Sequence, residues 1–219
     1  MDTMKNLVLA AALACVSVGV QAQAPTTIGC PTGTVPTQVD IQLLLDTTAN
    51  CPLLEDKALR KLVDRFAVGT TFAYPAVPGT CAAGSDLTGT ITRPGSVPIA
   101  VTGQTWSAQT LFPEAAALSN GLNPLTIFGT AQDGRPFMAG AAITVASIRS
   151  TSGLLRLDLV LSDRFAVDLA TGLDTEDFQI LGSGGLAGVT GKLTGVAMIA
   201  PGQPIVDAPM EIEGTICMK

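Results

Sequence analysis

Leu154-Leu155-Arg156-Leu157-Asp158-Leu159-Val160-Leu161 is the stretch that decides the fold. Leucine at 155, 157, 159 and 161 recurs every second residue, the period at which a strand returns its side chains to one face; a helix would scatter them around its axis. That face is wholly apolar, and the opposite one, with Leu154, Arg156, Asp158 and Val160, is mixed. A strand with one greasy side must bury it against other strands.

The surrounding sequence supplies them. From Thr70 onward β-branched residues are cut by Gly, Pro, Asn and Asp, and no helix-length period survives. The pattern predicts strands near residues 39–45, 70–74, 86–92, 97–108, 124–131, 136–147, 154–161, 164–170, 177–182, 192–200 and 209–217. Asp133-Gly134, between Leu125-Thr126-Ile127-Phe128 and Phe137, predicts a tight hairpin because the dipeptide accepts positive φ. One helix is expected, near residues 52–66. Asn50 can cap it, Pro52 suits its first turn, and Glu55 and Asp56 sit at the positive end of its dipole. Leu59, Leu62, Val63 and Phe66 form its apolar stripe, Lys57, Arg60 and Lys61 its solvated face, and Gly69 a stop. The expected fold is all-β, an antiparallel barrel ahead of a sandwich, with this one short helix.

The first residues read differently. Lys5 precedes an apolar run over residues 7–20, and Val20-Gln21-Ala22 offers the small residues of a signal-peptidase site, so residues 1–22 read as a signal peptide cut after Ala22. The run is short for a bilayer core, which needs about 20 residues. Cys15 does not sit well in a lipoprotein site, because the apolar run continues beyond it. Residues 23–38, rich in Pro and Thr, form an extended lead-in, and residues 39–219 one β domain. The expectation is a protein secreted or periplasmic in a bacterium, with no membrane span after cleavage.

Two counts narrow the chemistry. The chain has no histidine, which removes Ser-His-Asp and Cys-His nucleophiles and the commonest transition-metal ligand. Its net charge is −6, which argues against nucleic acid as a partner. Only 14% of residues are charged and 47% are apolar, so apolar surface open to self-association, or a greasy ligand cavity, is expected. Cys30, Cys51, Cys81 and Cys217 are an even set for two disulfides. Of the three pairings, Cys30 with Cys217 and Cys51 with Cys81 is preferred, because the first ties the chain ends of a closed domain. No C-x-x-C pair favours zinc.

Gly182-Ser183-Gly184-Gly185-Leu186-Ala187 contains a G-x-G-x-x-A pattern, yet Gly188, Thr190, Gly191 and Gly195 would spoil the helix that a dinucleotide loop requires. No cofactor is expected. Phe178-Gln179-Ile180, the glycines and Leu186-Ala187-Gly188-Val189-Thr190-Gly191 instead resemble the strand-glycine-strand signature of the allene oxide cyclase and dirigent superfamily. Leu186 stands where that family carries an aromatic residue, and the basic residue ahead of it is missing. The resemblance covers residues 178–191 and implies an eight-stranded antiparallel barrel with an apolar cavity, often oligomeric, whose characterised members steer cyclisation or radical coupling without a cofactor. It carries over no catalytic residue.

Asp168, Asp174, Glu176 and Asp177 read as a solvated acidic loop in preference to a calcium site, since their spacing matches no calcium loop. Tyr74 and Trp106 are the candidate ligand-binding residues, as the only large amphipathic aromatics. The expected function is an exported noncatalytic β domain that binds an apolar small molecule or self-assembles as a homo-oligomer at the cell surface. Two alternatives stand beside it: a cofactor-independent barrel enzyme acting on an apolar substrate through cavity shape and Tyr74 or an Asp or Glu of raised pKa, and a subunit of a surface polymer.

Overall fold

The leucine alternation is the inner face of a barrel wall. A computed structural model describes residues 29–44, 57–66, 71–72, 81–111, 126–186, 188–200 and 209–219. The strands are β1 (Val35–Leu44), β2 (Thr71–Phe72), β3 (Cys81–Thr92), β4 (Ile99–Leu111), β5 (Thr126–Thr130), β6 (Pro136–Ser150), β7 (Arg156–Asp168), β8 (Leu173–Gly184), β9 (Thr190–Met198) and β10 (Pro209–Met218). The helix is α1 (Lys57–Phe66). Eight strands, β1, β3, β4, β6, β7, β8, β9 and β10, pair antiparallel in chain order, and β1 pairs with β10 to close the ring. β2 and β5 extend β4 and β6 at one end. This is an up-and-down closed barrel, so the all-β expectation holds and the sandwich alternative falls.

Leu157, Leu159 and Leu161 point inward with Val39, Ile41, Leu87, Ile91, Val101, Ile148, Phe178, Ile180, Leu193, Met210, Ile212 and Ile216. Each such burial contributes about 1.5–3 kcal/mol. The neighbouring expected strands 154–161 and 164–170 are one strand, β7, because nothing at residues 162–163 breaks the ladder to β6. At Asp133-Gly134 the hairpin forms, with Gly134 at φ 86° and its N–H donating to Ala131 O. The β5–β6 loop thus has its left-handed residue at the glycine, as short hairpins demand.

The mixed face of β7 finds a second partner. Val160 and its outward neighbours Ile143, Val145 and Leu181 are covered by Leu62, Val63 and Phe66 of α1. Gly182 and Gly184 make the seat: a Cβ on Gly182 would run into the Phe66 ring, and one on Gly184 would stand 2.7 Å from Leu62 Cδ1. The described helix begins at Lys57, while Asn50 and residues 51–56 lie outside the described residues. Outward Asp158, buried at this seam, accepts hydrogen bonds from Ser147 Oγ (2.7 Å) and Arg156 Nε (3.0 Å).

Asp-Arg-Phe-Ala-Val occurs at 64–68 and 163–167; Asp64, Arg65 and Phe66 are helical, whereas all of 163–167 is strand. The tertiary surroundings choose the conformation. One disulfide, Cys30–Cys217, links the lead-in to the end of β10, with Cα atoms 5.4 Å apart. Cys51 and the side chain of Cys81 lie outside the described residues. Among the described residues no helix is long and apolar enough to cross a membrane.

Candidate functional site

The barrel interior has two ends of different chemistry. Strand alternation carries the aliphatic face of β7 past Leu161 to Asp163, and that of β8 back from Ile180 and Phe178 to Glu176 and Asp174. Three carboxylates therefore enter the inner wall on neighbouring strands. Thr144 of β6 and Ser107 of β4 face the same space. From this end depart the connections 45–80 from β1 to β3, 112–135 from β4 to β6, 169–172 from β7 to β8 and 199–208 from β9 to β10. From the opposite, aliphatic end depart the short connections 93–98, 151–155 and 185–189.

Asp163 and Asp174 are each only 4% exposed, and among the described residues Asp163 Oδ1 and Asp174 Oδ1 have no hydrogen-bond partner. The other oxygen of Asp163, Oδ2, accepts from Thr144 Oγ1 at 3.4 Å, and Thr144 Oγ1 is paired with Ser107 Oγ at 2.7 Å. These contacts run from β4 across β6 to β7 and engage only one oxygen of Asp163. Glu176 is partly exposed; its cross-strand neighbours are Phe165 and Gly195, while those of Asp163 are Phe178 and Ala142.

Burial governs the protonation of these groups. It raises Asp163 well above the ordinary carboxylate value, with the nearby charge of Asp174 adding to it and the Thr144 hydrogen bond opposing. Glu176 is likewise raised, by burial first and then by the charges of Asp163 and Asp174. Asp174 is pushed up to about 6 by burial, against a hydrogen bond from the Thr175 backbone. Carboxyl groups poised this way can donate a proton or a hydrogen bond near neutral pH, which an ordinary carboxylate cannot.

The expected solvated acidic loop is corrected by these positions. Asp174, Glu176 and Asp177 are strand residues of β8, and alternation sends the first two inward and Asp177 outward. Asp168 stands apart at the rim: its Oδ1 accepts from the Ala170 (2.9 Å) and Thr171 (3.2 Å) amides and its Oδ2 pairs with Arg135, so it shapes the β7–β8 turn. Trp106 lies on the outer face of β4, against Val145, Leu62 and Val63, and lines none of the interior. Tyr74 lies outside the described residues. The glycine cluster forms the end of β8, a turn with Gly185 and Gly188 at positive φ, and the start of β9; a strand follows it, not the helix of a dinucleotide loop.

Sequence reasoning passed over Asp163, although a signal was present. Residues 155, 157, 159, 161 and 163 share one parity, so an acid stands in line with four leucines.

Outside, a groove of about 330 Å³ runs over β7, β8 and β9 between the outward rows Arg164, Asp177, Thr194 and Ala166, Thr175, Val196, along the inward row Phe165, Glu176, Gly195 that lies between them. Exposed Leu173 and Met198, opposite each other on β8 and β9, continue its apolar edge. Among the described residues no three His, Cys, Asp or Glu side chains stand where they could hold one metal ion. No family model, curated protein or solved structure matches the chain.

Proposed function

We propose that this is an exported, noncatalytic β-barrel that binds a small, largely apolar molecule at the acid-lined end of its interior. One observation carries the reading: inside a wall of aliphatic side chains, Asp163 and Asp174 are buried and each holds an oxygen without a partner among the described residues. An unsatisfied buried polar atom costs about 1–3 kcal/mol, and a fold that bears two on one wall has a use for them. Eight-stranded barrels enclose a space just wide enough for packed side chains or one small ligand. The Cys30–Cys217 disulfide supports export to an oxidising compartment.

The test is titration of the mature protein with N-phenyl-1-naphthylamine, a neutral dye that brightens in apolar surroundings. Saturable one-to-one binding, lost when Ala197 opposite Asp174 is enlarged to Leu, supports the reading. Absence of saturable binding, or an Ala197→Leu protein that is folded by circular dichroism and binds as the wild type does, defeats it.

A second reading, a cofactor-independent enzyme acting on an apolar substrate, is favoured by Asp174, whose pKa of about 6 suits a proton donor at neutral pH. The allene oxide cyclase and dirigent resemblance belongs with it. Self-assembly, as a homo-oligomer or a surface polymer, draws its support from exposed Leu173, Val196 and Met198.

A further inference from the structure

We infer that the molecule bound at the acid end carries a positive charge, as an ammonium group on an apolar body. This rests on the binding reading above and adds the charge of the ligand.

Asp163, Asp174 and Glu176 all enter the interior, and none of the inward positions among the described residues is Lys or Arg. Arg149, Arg156, Arg164 and Lys192 belong to the outward rows of their strands. Among the described residues the interior therefore has acceptors without matching cations. Thr144, itself paired with Ser107, engages Asp163 at Oδ2, while Asp163 Oδ1 and Asp174 Oδ1 have no partner among the described residues.

Two cationic occupants come into question, and the geometry separates them. A metal ion wants several oxygens at once around a common point. The described carboxylates do not offer that. An ammonium has three N–H donors, needs only one or two carboxylates, and brings its own carbon stem. Its surroundings are at hand: Phe178 lies opposite Asp163 and Phe165 opposite Glu176, and ring faces attract a cation within about 6 Å. A Cβ on Gly195 would touch both Met210 and Phe178, so a polarizable sulfur packs beside the same ring. An ammonium would take the place of the protons that burial otherwise holds on these acids.

The experiment compares three probes of equal length below their micellar range, n-octylamine, n-octanol and octanoate, by isothermal titration calorimetry at neutral pH. Octylammonium is expected to bind the wild type at least about tenfold more tightly than octanol, the size of one charge-assisted hydrogen bond. Octanoate is expected to bind least. In Asp163→Asn and in Asp174→Asn that preference should shrink while octanol binding stays. Glu213→Gln, an outward acid on β10, should keep the wild-type preference, which separates the site from general attraction to an acidic surface.

Equal binding of octylammonium and octanol overturns the inference and leaves the binding reading standing. No binding of any probe overturns both. A preference lost in Glu213→Gln, or kept in both site variants, also overturns it. The order of affinities on the wild type is decisive even if one variant fails to fold.

Discussion

Lowering the pH should stabilise this protein, and Asp174 gives the magnitude. Its pKa rises from the ordinary 3.8 to about 6 on folding. At about 1.4 kcal/mol per tenfold change in proton affinity, that difference amounts to about 3 kcal/mol. The sign follows from proton counting: between 3.8 and 6 the folded chain keeps a proton that the unfolded chain has released. The folded state is therefore favoured at the acid end of that window, and the advantage is lost as pH rises through about 6. Asp163 and Glu176 are shifted the same way and add to the effect. Asp133 and Asp168 oppose it: Arg135 lowers the first, and for the second desolvation, which raises it, is outweighed by hydrogen bonds from the Ala170 and Thr171 backbone, yet both interactions sit at the surface where such terms are small. The assay is urea unfolding of the disulfide-intact protein, followed by circular dichroism, at about pH 5 and about pH 7.5. The midpoint should be higher at the lower pH. Asp174→Asn should raise the midpoint at about pH 7.5 and flatten the dependence. A midpoint that climbs steadily with pH, together with an Asp174→Asn protein less stable at about pH 7.5, would refute the claim that burial sets the charge of this group.

Other outcomes follow from single contacts. Replacing Cys30 and Cys217 by serine opens a loop spanning 187 residues and should cost about 5 kcal/mol in urea unfolding. Thiol titration of denatured, unreduced mature protein should find no more than one free thiol; a higher value would break the two-disulfide expectation. Gly182→Val drives a side chain into the Phe66 ring and should lift α1 from the wall, at a cost of about 1–3 kcal/mol. Emission of the single tryptophan, Trp106, should shift to the red as the helix cover leaves it. Truncating Leu157, fully buried on the inner wall, to Ala should cost about 2–5 kcal/mol in the same unfolding assay.

The wall of the barrel was legible because burying one face of a strand leaves a period of two, and β7 carries it almost undisturbed. The preferred pairing of Cys30 with Cys217 was legible from closure, since a ring of strands brings its first and last members together. The acid end was harder to read. Acidic residues near turns ordinarily mean solvent, so Asp174 and Glu176 looked like loop, although their parity with Phe178 and Ile180 already assigned them to the inner face. Breaking the pattern of β7 between 161 and 164 hid Asp163 for the same reason: hydropathy and parity disagreed, and parity decides which way a strand residue points. Trp106 was misleading in the opposite sense. Its size suggested a cavity wall, but α1 gives the barrel a greasy exterior patch as well, and sequence alone does not say which of two apolar faces is the inside.

The seam between β1 and β10 sets an order on biosynthesis. A nascent chain acquires β1 near the beginning and its second neighbour only with the last strand, so every partial product carries two open edges, each a template for pairing with another copy. Joining the termini and cutting the ring within residues 93–98 would move that seam, making β1 and β10 consecutive while separating β3 from β4. The permuted barrel would have the same walls and the same acids, and its yield against the parent would measure how far late closure limits folding.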